Sequence, residues 1–161
     1  MKASRKVLVV GGLLLSLWGM SYGLWYALFL EHQTLDTIGG ALTTSFASAA
    51  GRKMDASRIN LEGYTLASFD YARQVDVHSH WIGLGILMIG LGIIFNKVGL
   101  GERIRLFLAL ALFIGSAVFP LGVILQTMDR GITPRVIATV GAGLVTAALA
   151  VVAIGFLRAE K

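Results

Sequence analysis

Four long apolar runs most constrain how this 161-residue chain can fold. They cover approximately residues 7–30, 72–96, 105–127 and 135–157. A helix that crosses a bilayer needs roughly 20 mainly apolar residues. Because lipid offers no partners to backbone N–H and C=O groups, such runs predict helices rather than irregular chain. We therefore predict an all-α fold, an integral membrane four-helix bundle that forms one membrane domain over residues 1–161.

The composition agrees with a lipid bilayer as the surrounding solvent. Hydrophobic residues make up 56% of the chain and charged residues 14%, whereas soluble domains carry about 25% charged residues. The chain has no cysteine, which excludes disulfides, thiolate metal ligands and covalent Cys-x-x-Cys-His haem attachment. Its basic residues stand beside the apolar runs, so the net charge of +5 indicates membrane orientation and not nucleic-acid binding.

Details of three runs refine this prediction. The first follows a basic segment, as a secretory signal peptide does, but it exceeds the roughly 7–15 apolar residues of such a peptide, so we expect it to be uncleaved. The apolar part of the second, about 81–95, is short, so its helix should begin upstream within 71–80. Pro120 predicts a kink in the third run, and Pro134 suits the start of the fourth.

The flanking charges predict the orientation. Eight basic and two acidic residues fall on one side of the membrane-crossing runs. The basic residues are Lys2, Arg5, Lys6, Lys97, Arg103, Arg105, Arg158 and Lys161, and the acidic ones are Glu102 and Glu160. The other side carries six basic and seven acidic residues. Because cytoplasmic flanks carry the excess of Lys and Arg, we expect both termini in the cytoplasm and the chain in the inner (cytoplasmic) membrane.

One long connection, about 31–71, is expected to form a structured outer loop between the first two runs. Its stretch 35–50 is rich in small residues with scattered apolar ones, which suits either a helix at the membrane surface or a partly re-entrant loop. The connections 96–105 and 127–135 are short, so the runs that they join should be antiparallel neighbours.

All three histidines fall at the outer end of the predicted bundle. Imidazole and carboxylate groups bind zinc or copper, and imidazole or thioether groups bind haem iron. We therefore expect a site for haem b, or for copper or zinc, at the outer interface, although a chain without cofactor is equally arguable. The candidate haem ligands are His80, His78, His32 and Met128, and the candidate metal ligands are His32, Asp76, His78 and His80.

The local conformation of 76–80 decides which of these side chains can act together. In a helix, His78 and His80 point about 200° apart and cannot ligate the same ion. Asp76 and His80 then share a face, so the carboxylate could orient the imidazole from the second shell of ligands. In an extended segment the two histidines would instead form a chelating pair. The length requirement of the second run favours the helix.

Each of these residues also has a structural explanation. Histidine beside Trp81 is typical of the aromatic belt at a membrane interface, and Met128 could simply fill a gap. Asp70 and Asp76 could pair with Arg73 within one stretch of helix.

The glycines of the second and fourth runs favour helix packing over a cofactor. Small residues allow helices to approach closely in membranes. We predict contact faces at the pairs Gly83 and Gly85, Gly90 and Gly92, and at Gly141, Gly143 and Ala147.

The stretch from Asp76 to Gly85, DVHSHWIGLG, resembles the His-x-His that opens a span in small four-helix membrane proteins. It also resembles the His-bearing helix starts of the catalytic subunits of haem-copper oxidases and nitric oxide reductases. That resemblance implies an axial haem-ligand role for His80 or His78. The chain has no second His deep within another run and no copper-ligand set, so we do not expect it to be an enzyme on its own.

These features predict a small membrane haem- or metal-binding protein in electron transfer, or an accessory component of a respiratory or redox membrane complex. The alternative is a non-catalytic structural subunit without cofactor, whose glycine faces contact membrane-protein partners or further copies of the chain.

Overall fold

The computed structural model describes residues 1–159, and this part of the chain contains no strand. The helices are α1 (Ala3–Phe29), α2 (Glu31–Ala50), α3 (Met54–Ile94), α4 (Glu102–Leu125) and α5 (Ile132–Ala159), with a 3₁₀ turn at Phe95–Lys97. Four of the described helices, α1, α3, α4 and α5, are long and apolar enough to cross a membrane. The predicted all-α class and the four apolar helices are confirmed.

The second membrane-crossing helix begins earlier than predicted. We expected its start within 71–80, but α3 begins at Met54 and runs for 41 residues. The extra turns contain no proline, place Asp55 favourably in the first turn and pair Arg58 with Glu62 at 3.2 Å across one turn. Because hydropathy marks only the apolar part of a helix, this polar extension was mistaken for loop.

The predicted outer loop is therefore mostly helical. Residues 35–50 lie in α2, so of the two alternatives for this stretch the structure has a helix. Only Gly51, Arg52 and Lys53 separate α2 from α3. Arg52 adopts a left-handed conformation with φ of 58°, and the Lys53 N–H donates to the Ser48 carbonyl at 2.9 Å. These features end α2 and reverse the chain.

The chain divides into two compact units. The first, here called the bundle unit, comprises Met1–Ser21 and the chain from Asp76 onward; the second, the hairpin unit, is Tyr22–Val75. Within the hairpin unit, the Ser45 hydroxyl donates to the Ser57 carbonyl at 2.9 Å. Together with a bond from the Tyr71 hydroxyl to Glu31, this joins α2 to α3.

Glycines set the helix contacts of the bundle unit. A Cβ added at Gly85 of α3 would lie 2.6 Å from the Gly12 carbonyl oxygen of α1. A Cβ added at Gly141 of α5 would lie 2.5 Å from the Phe119 nitrogen of α4. Both distances are shorter than ordinary van der Waals contact, so the missing side chains let main chain approach main chain.

The contact face of α5 is narrower than predicted. Gly141 packs against α4, but nothing lies within 4 Å of a Cβ added at Gly143, and Ala147 is exposed. Residues two apart point about 200° apart on a helix, so Gly141 and Gly143 cannot face the same neighbour. Within residues 1–159 the predicted contact is confirmed at Gly141, whereas contacts of Gly143 and Ala147 with other proteins stay a prediction.

Four helix termini meet at one end of the bundle unit, here called the basic end. They are the start of α1, the end of α3, the start of α4 and the end of α5. The Ser4 N–H of α1 donates to Glu102 Oε1 of α4 at 3.1 Å, and the Gly99 N–H donates to the Gly155 carbonyl of α5 at 3.0 Å. These bonds bring the flanks of α1, α4 and α5 together at this end of the bundle unit.

Candidate functional site

The segment 76–80 is helical, since it lies inside α3. This excludes the extended alternative, in which His78 and His80 form a chelating pair. On a helix the two rings leave the axis in nearly opposite directions. Because of these opposite directions, the two rings contact different neighbours. Both rings are half-buried.

His80 is oriented by the main chain of its own helix. Its Nδ1 lies 2.5 Å from the carbonyl oxygen of Asp76, one turn earlier. A carbonyl can only accept, so Nδ1 carries the proton and donates it. In the neutral ring this leaves the Nε2 lone pair available as a ligand or acceptor. Asp76 was expected to orient His80 through its carboxylate. It orients Nδ1 through its backbone carbonyl instead.

The Nε2 atom of His80 has no hydrogen-bond partner within residues 1–159. The ring instead packs edge-on against Phe119 of α4, with centroids 4.8 Å apart and an angle of 80° between the planes. Such an edge contact fixes the tilt of the ring without using its polar atoms. His80 thus combines a defined tautomer, a defined ring plane and an unused nitrogen lone pair.

Neighbouring contacts hold this part of α3 against α1. Trp81 is buried and meets Trp18 edge-on, with ring centroids 6.1 Å apart. A Cβ added at Gly19 would lie 2.9 Å from Trp81 Cβ and 3.0 Å from the His78 carbonyl oxygen. The absence of a side chain at Gly19 therefore lets α1 touch the backbone of α3 beside the histidines. This packing makes the His78–His80 segment a rigid support.

The remaining candidate ligands are more exposed. His32 lies on α2 in the hairpin unit, with 89% of its side chain exposed, and its Nε2 is 3.4 Å from the Asp36 carboxylate. Met128 lies in the turn after α4 in the bundle unit and is 81% exposed. The structure thus places Asp76, His78 and His80 on one helix, and His32 in a different unit.

In the described part of the chain, no group of three or more His, Asp or Glu side chains is arranged to hold a metal ion. The site that the geometry does define is a single imidazole. One oriented imidazole suits an axial ligand to a cofactor that brings its own remaining ligands, as a haem macrocycle does for iron.

Open glycines lie on the same helix as His80. Nothing is within 4 Å of a Cβ added at Gly83 or Gly90, whereas Gly85 and Gly92 are filled by α1. Since the members of each pair point about 200° apart, only one of the two can face α1. The other two glycines present bare backbone on a side of α3 that residues 1–159 leave uncovered.

Sequence reasoning missed two features of the bundle unit. Phe119 was not recognised as the neighbour of His80, because no local spacing links residues on separate helices. Arg105 was assigned only to membrane orientation, yet it is 7% exposed and its Nη2 lies 3.5 Å from Glu102 Oε2. The Glu102–Arg105 spacing of three residues was an available signal for this pair.

The helices and their composition define a multi-pass helical membrane protein. Comparisons with protein-family models, with curated proteins and with solved structures found no match. The chain's own residues therefore carry the functional proposal.

Proposed function

We propose that the chain is a small haem- or metal-binding membrane protein with His80 as the principal ligand. It would act in electron transfer, or as an accessory component of a respiratory or redox membrane complex. Haem b is the first candidate, with copper or zinc as the alternative. The chain's four apolar helices and the charge difference between their flanks support a location in the inner (cytoplasmic) membrane with both termini inside.

The observation that carries this proposal is the hydrogen bond from His80 Nδ1 to the Asp76 carbonyl. Metal-bound histidines commonly donate their other ring N–H to a carbonyl or carboxylate, which fixes the tautomer and makes the ligating nitrogen more basic. His80 already has this arrangement. An ionisable residue on a membrane-crossing helix is also costly to retain without a role.

The residues present fit haem better than an isolated metal ion. An axial position needs one imidazole from this helix, and the open glycines of α3 allow a flat ring to approach the backbone. His78, His32 and Met128 are the candidates for the second axial ligand. A bound haem would supply a one-electron couple, while His80 and the hydrophobic neighbours of its ring would tune the potential of that couple. The resemblance of DVHSHWIGLG to haem-bearing helices supports the same assignment.

The test is a visible absorption spectrum of the purified full chain, with and without dithionite, together with metal analysis of the same sample. Haem b predicts a Soret band and sharpened α and β bands on reduction. Replacing His80 with Gly should remove these bands, and added imidazole should restore them by entering the vacated position. Rescue by imidazole separates ligation from a merely structural role.

The matched control is Ser79→Ala, which alters the adjacent exposed position on the same turn and should leave the spectrum unchanged. Single Ala variants of His78, His32 and Met128 then identify the second ligand by a change in the iron's coordination. A colourless, metal-free wild-type protein, purified from cells supplied with haem precursor and trace metals, would exclude the cofactor proposal.

A specific observation favours the second candidate function, a non-catalytic subunit of a larger membrane complex. Gly83 and Gly90 are seven residues apart, so both lie on one face of α3, and an added Cβ would meet nothing there. Small residues on such a face suit close approach by a helix of a partner or of another copy. Replacing both with Leu should then dissociate the purified complex while the monomer stays folded.

A further inference from the structure

The basic end of the bundle unit presents cations that its own acids do not neutralise. The exposed basic residues there are Lys2, Lys6, Lys97, Arg103 and Arg158. Glu102 is the single acid that the described chain contributes to these four helix termini, and Glu160 lies outside the described residues. The balance of charge at this end therefore depends on what Glu102 contacts.

Glu102 is engaged within the protein. Its Oε1 accepts the Ser4 N–H at 3.1 Å, and its Oε2 lies 3.5 Å from Arg105 Nη2. Ser4 is in the first turn of α1, so the carboxylate also meets the positive end of that helix dipole. The negative charge of Glu102 is thus offset by buried partners.

Two arginines at this end also point inward. Arg5 Nε donates to the Gly92 carbonyl at 2.9 Å, and Arg105 Nη1 donates to the carbonyls of Phe95 and Asn96 at 3.4 and 3.3 Å. These carbonyls lie at the end of α3 and in its 3₁₀ turn, where the helical hydrogen-bond pattern runs out, although the Phe95 carbonyl also accepts the Val98 N–H at 3.3 Å. The structure therefore separates two internal arginines from the five outward cations.

The opposite end of the bundle unit has no such excess. Its segments carry Asp76 and Asp129 against Arg130 and Arg135. A strong positive field is consequently confined to the end at which α1, α3, α4 and α5 all leave their apolar stretches.

We propose that the basic end binds the headgroups of anionic phospholipids in preference to zwitterionic ones. The five cations flank apolar helices, so they lie at the depth of lipid phosphates, which surround every such helix. An anionic surface strengthens the binding of each nearby Lys or Arg about fivefold. This position favours lipid over a soluble acidic partner, and the inference is independent of whether His80 binds a cofactor.

The experiment measures lipid selectivity of the full chain reconstituted in phosphatidylcholine vesicles. Spin-labelled phosphatidylglycerol and spin-labelled phosphatidylcholine are compared by the fraction immobilised at the protein. We expect the anionic label to associate about fivefold more strongly in low salt. The preference should disappear near 1 M salt, where the Debye length falls to about 3 Å.

Two quadruple variants locate the effect while removing equal charge. The test variant is Lys6→Gln, Lys97→Gln, Arg103→Gln and Arg158→Gln. The matched control is Arg52→Gln, Lys53→Gln, Arg130→Gln and Arg135→Gln, all at exposed positions outside the basic end.

The test variant should lose most of the preference and the control should keep it. Equal association of both labels with the wild-type protein would overturn the proposal. Equal loss in both variants would also overturn it, because net charge rather than the basic end would then select the lipid. The salt dependence of the wild-type protein tests the proposal even if one of the variants fails to fold.

Discussion

Gly85 and Gly83 offer a direct test of how α1 and α3 pack, because the two glycines are two residues apart but have opposite surroundings. A Cβ at Gly85 would lie 2.6 Å from the Gly12 carbonyl oxygen and 2.9 Å from the Ser16 nitrogen, both main-chain atoms of α1. No change of rotamer can relieve such contacts. A Cβ at Gly83 would meet no atom within 4 Å.

The expected magnitudes follow from these distances. Gly85→Ala requires α1 to move by roughly 1 Å to restore van der Waals contact, and overpacking of this kind costs about 1–3 kcal/mol. Gly83→Ala gains about 0.5–1 kcal/mol, because alanine loses less backbone entropy in a helix than glycine does. The same gain applies at residue 85, which is also inside α3, so it cancels in the comparison. We therefore expect the free energy of unfolding of Gly83→Ala to exceed that of Gly85→Ala by about 1–3 kcal/mol.

The assay is reversible unfolding in mixed micelles of mild detergent and dodecyl sulfate, followed by tryptophan fluorescence. Trp18 and Trp81 report directly, since their rings meet at the contact between α1 and α3. If Gly85→Ala proves as stable as Gly83→Ala, the close approach of α1 to α3 at Gly85 is refuted.

Two further predictions concern the basic end and the orientation of the chain. Arg105→Met should lower the free energy of unfolding by about 1–3 kcal/mol, because it removes the bonds of a buried guanidinium to the Phe95 and Asn96 carbonyls and its ion pair with Glu102. The exposed Arg103→Met should stay within about 0.5 kcal/mol, and equal effects in the same unfolding assay would contradict the internal role of Arg105. Since the chain has no cysteine, single Cys variants can report its orientation. In intact cells Met128→Cys should react with an impermeant maleimide and Lys97→Cys should not, and the reverse pattern would contradict the proposed topology.

The four membrane-crossing helices could be predicted from the sequence because lipid narrows the choice so strongly. Within an apolar run only helix satisfies the backbone, so the runs themselves identify α1, α3, α4 and α5. The first 20 or so residues of α3 gave no such signal. There the helix rests on ordinary propensity and on pairs such as Arg58 with Glu62, which are weak guides without the structure.

The candidate site was predictable in part. Helical geometry alone indicated that His78 and His80 cannot act as one chelating pair and that residue 76 lies one turn from His80. The edge contact with Phe119 depends on how α3 and α4 pack, which no local pattern encodes. Arg105 was similarly assigned to the membrane surface because its charge, and not its burial, is visible in the sequence.

The partner of His80 Nδ1 is a backbone carbonyl and not a carboxylate, so the tautomer of His80 does not depend on a side chain. A carboxylate partner would tie the tautomer to the ionisation of the Asp76 side chain. The carbonyl of Asp76 belongs to the backbone, and it accepts from Nδ1 whatever the side chain at that position does. The same main-chain segment is braced where Gly19 of α1 meets the His78 carbonyl. The direction of the Nε2 lone pair is consequently a property of how α3 is built and packed, which is the kind of support that a fixed ligand position requires.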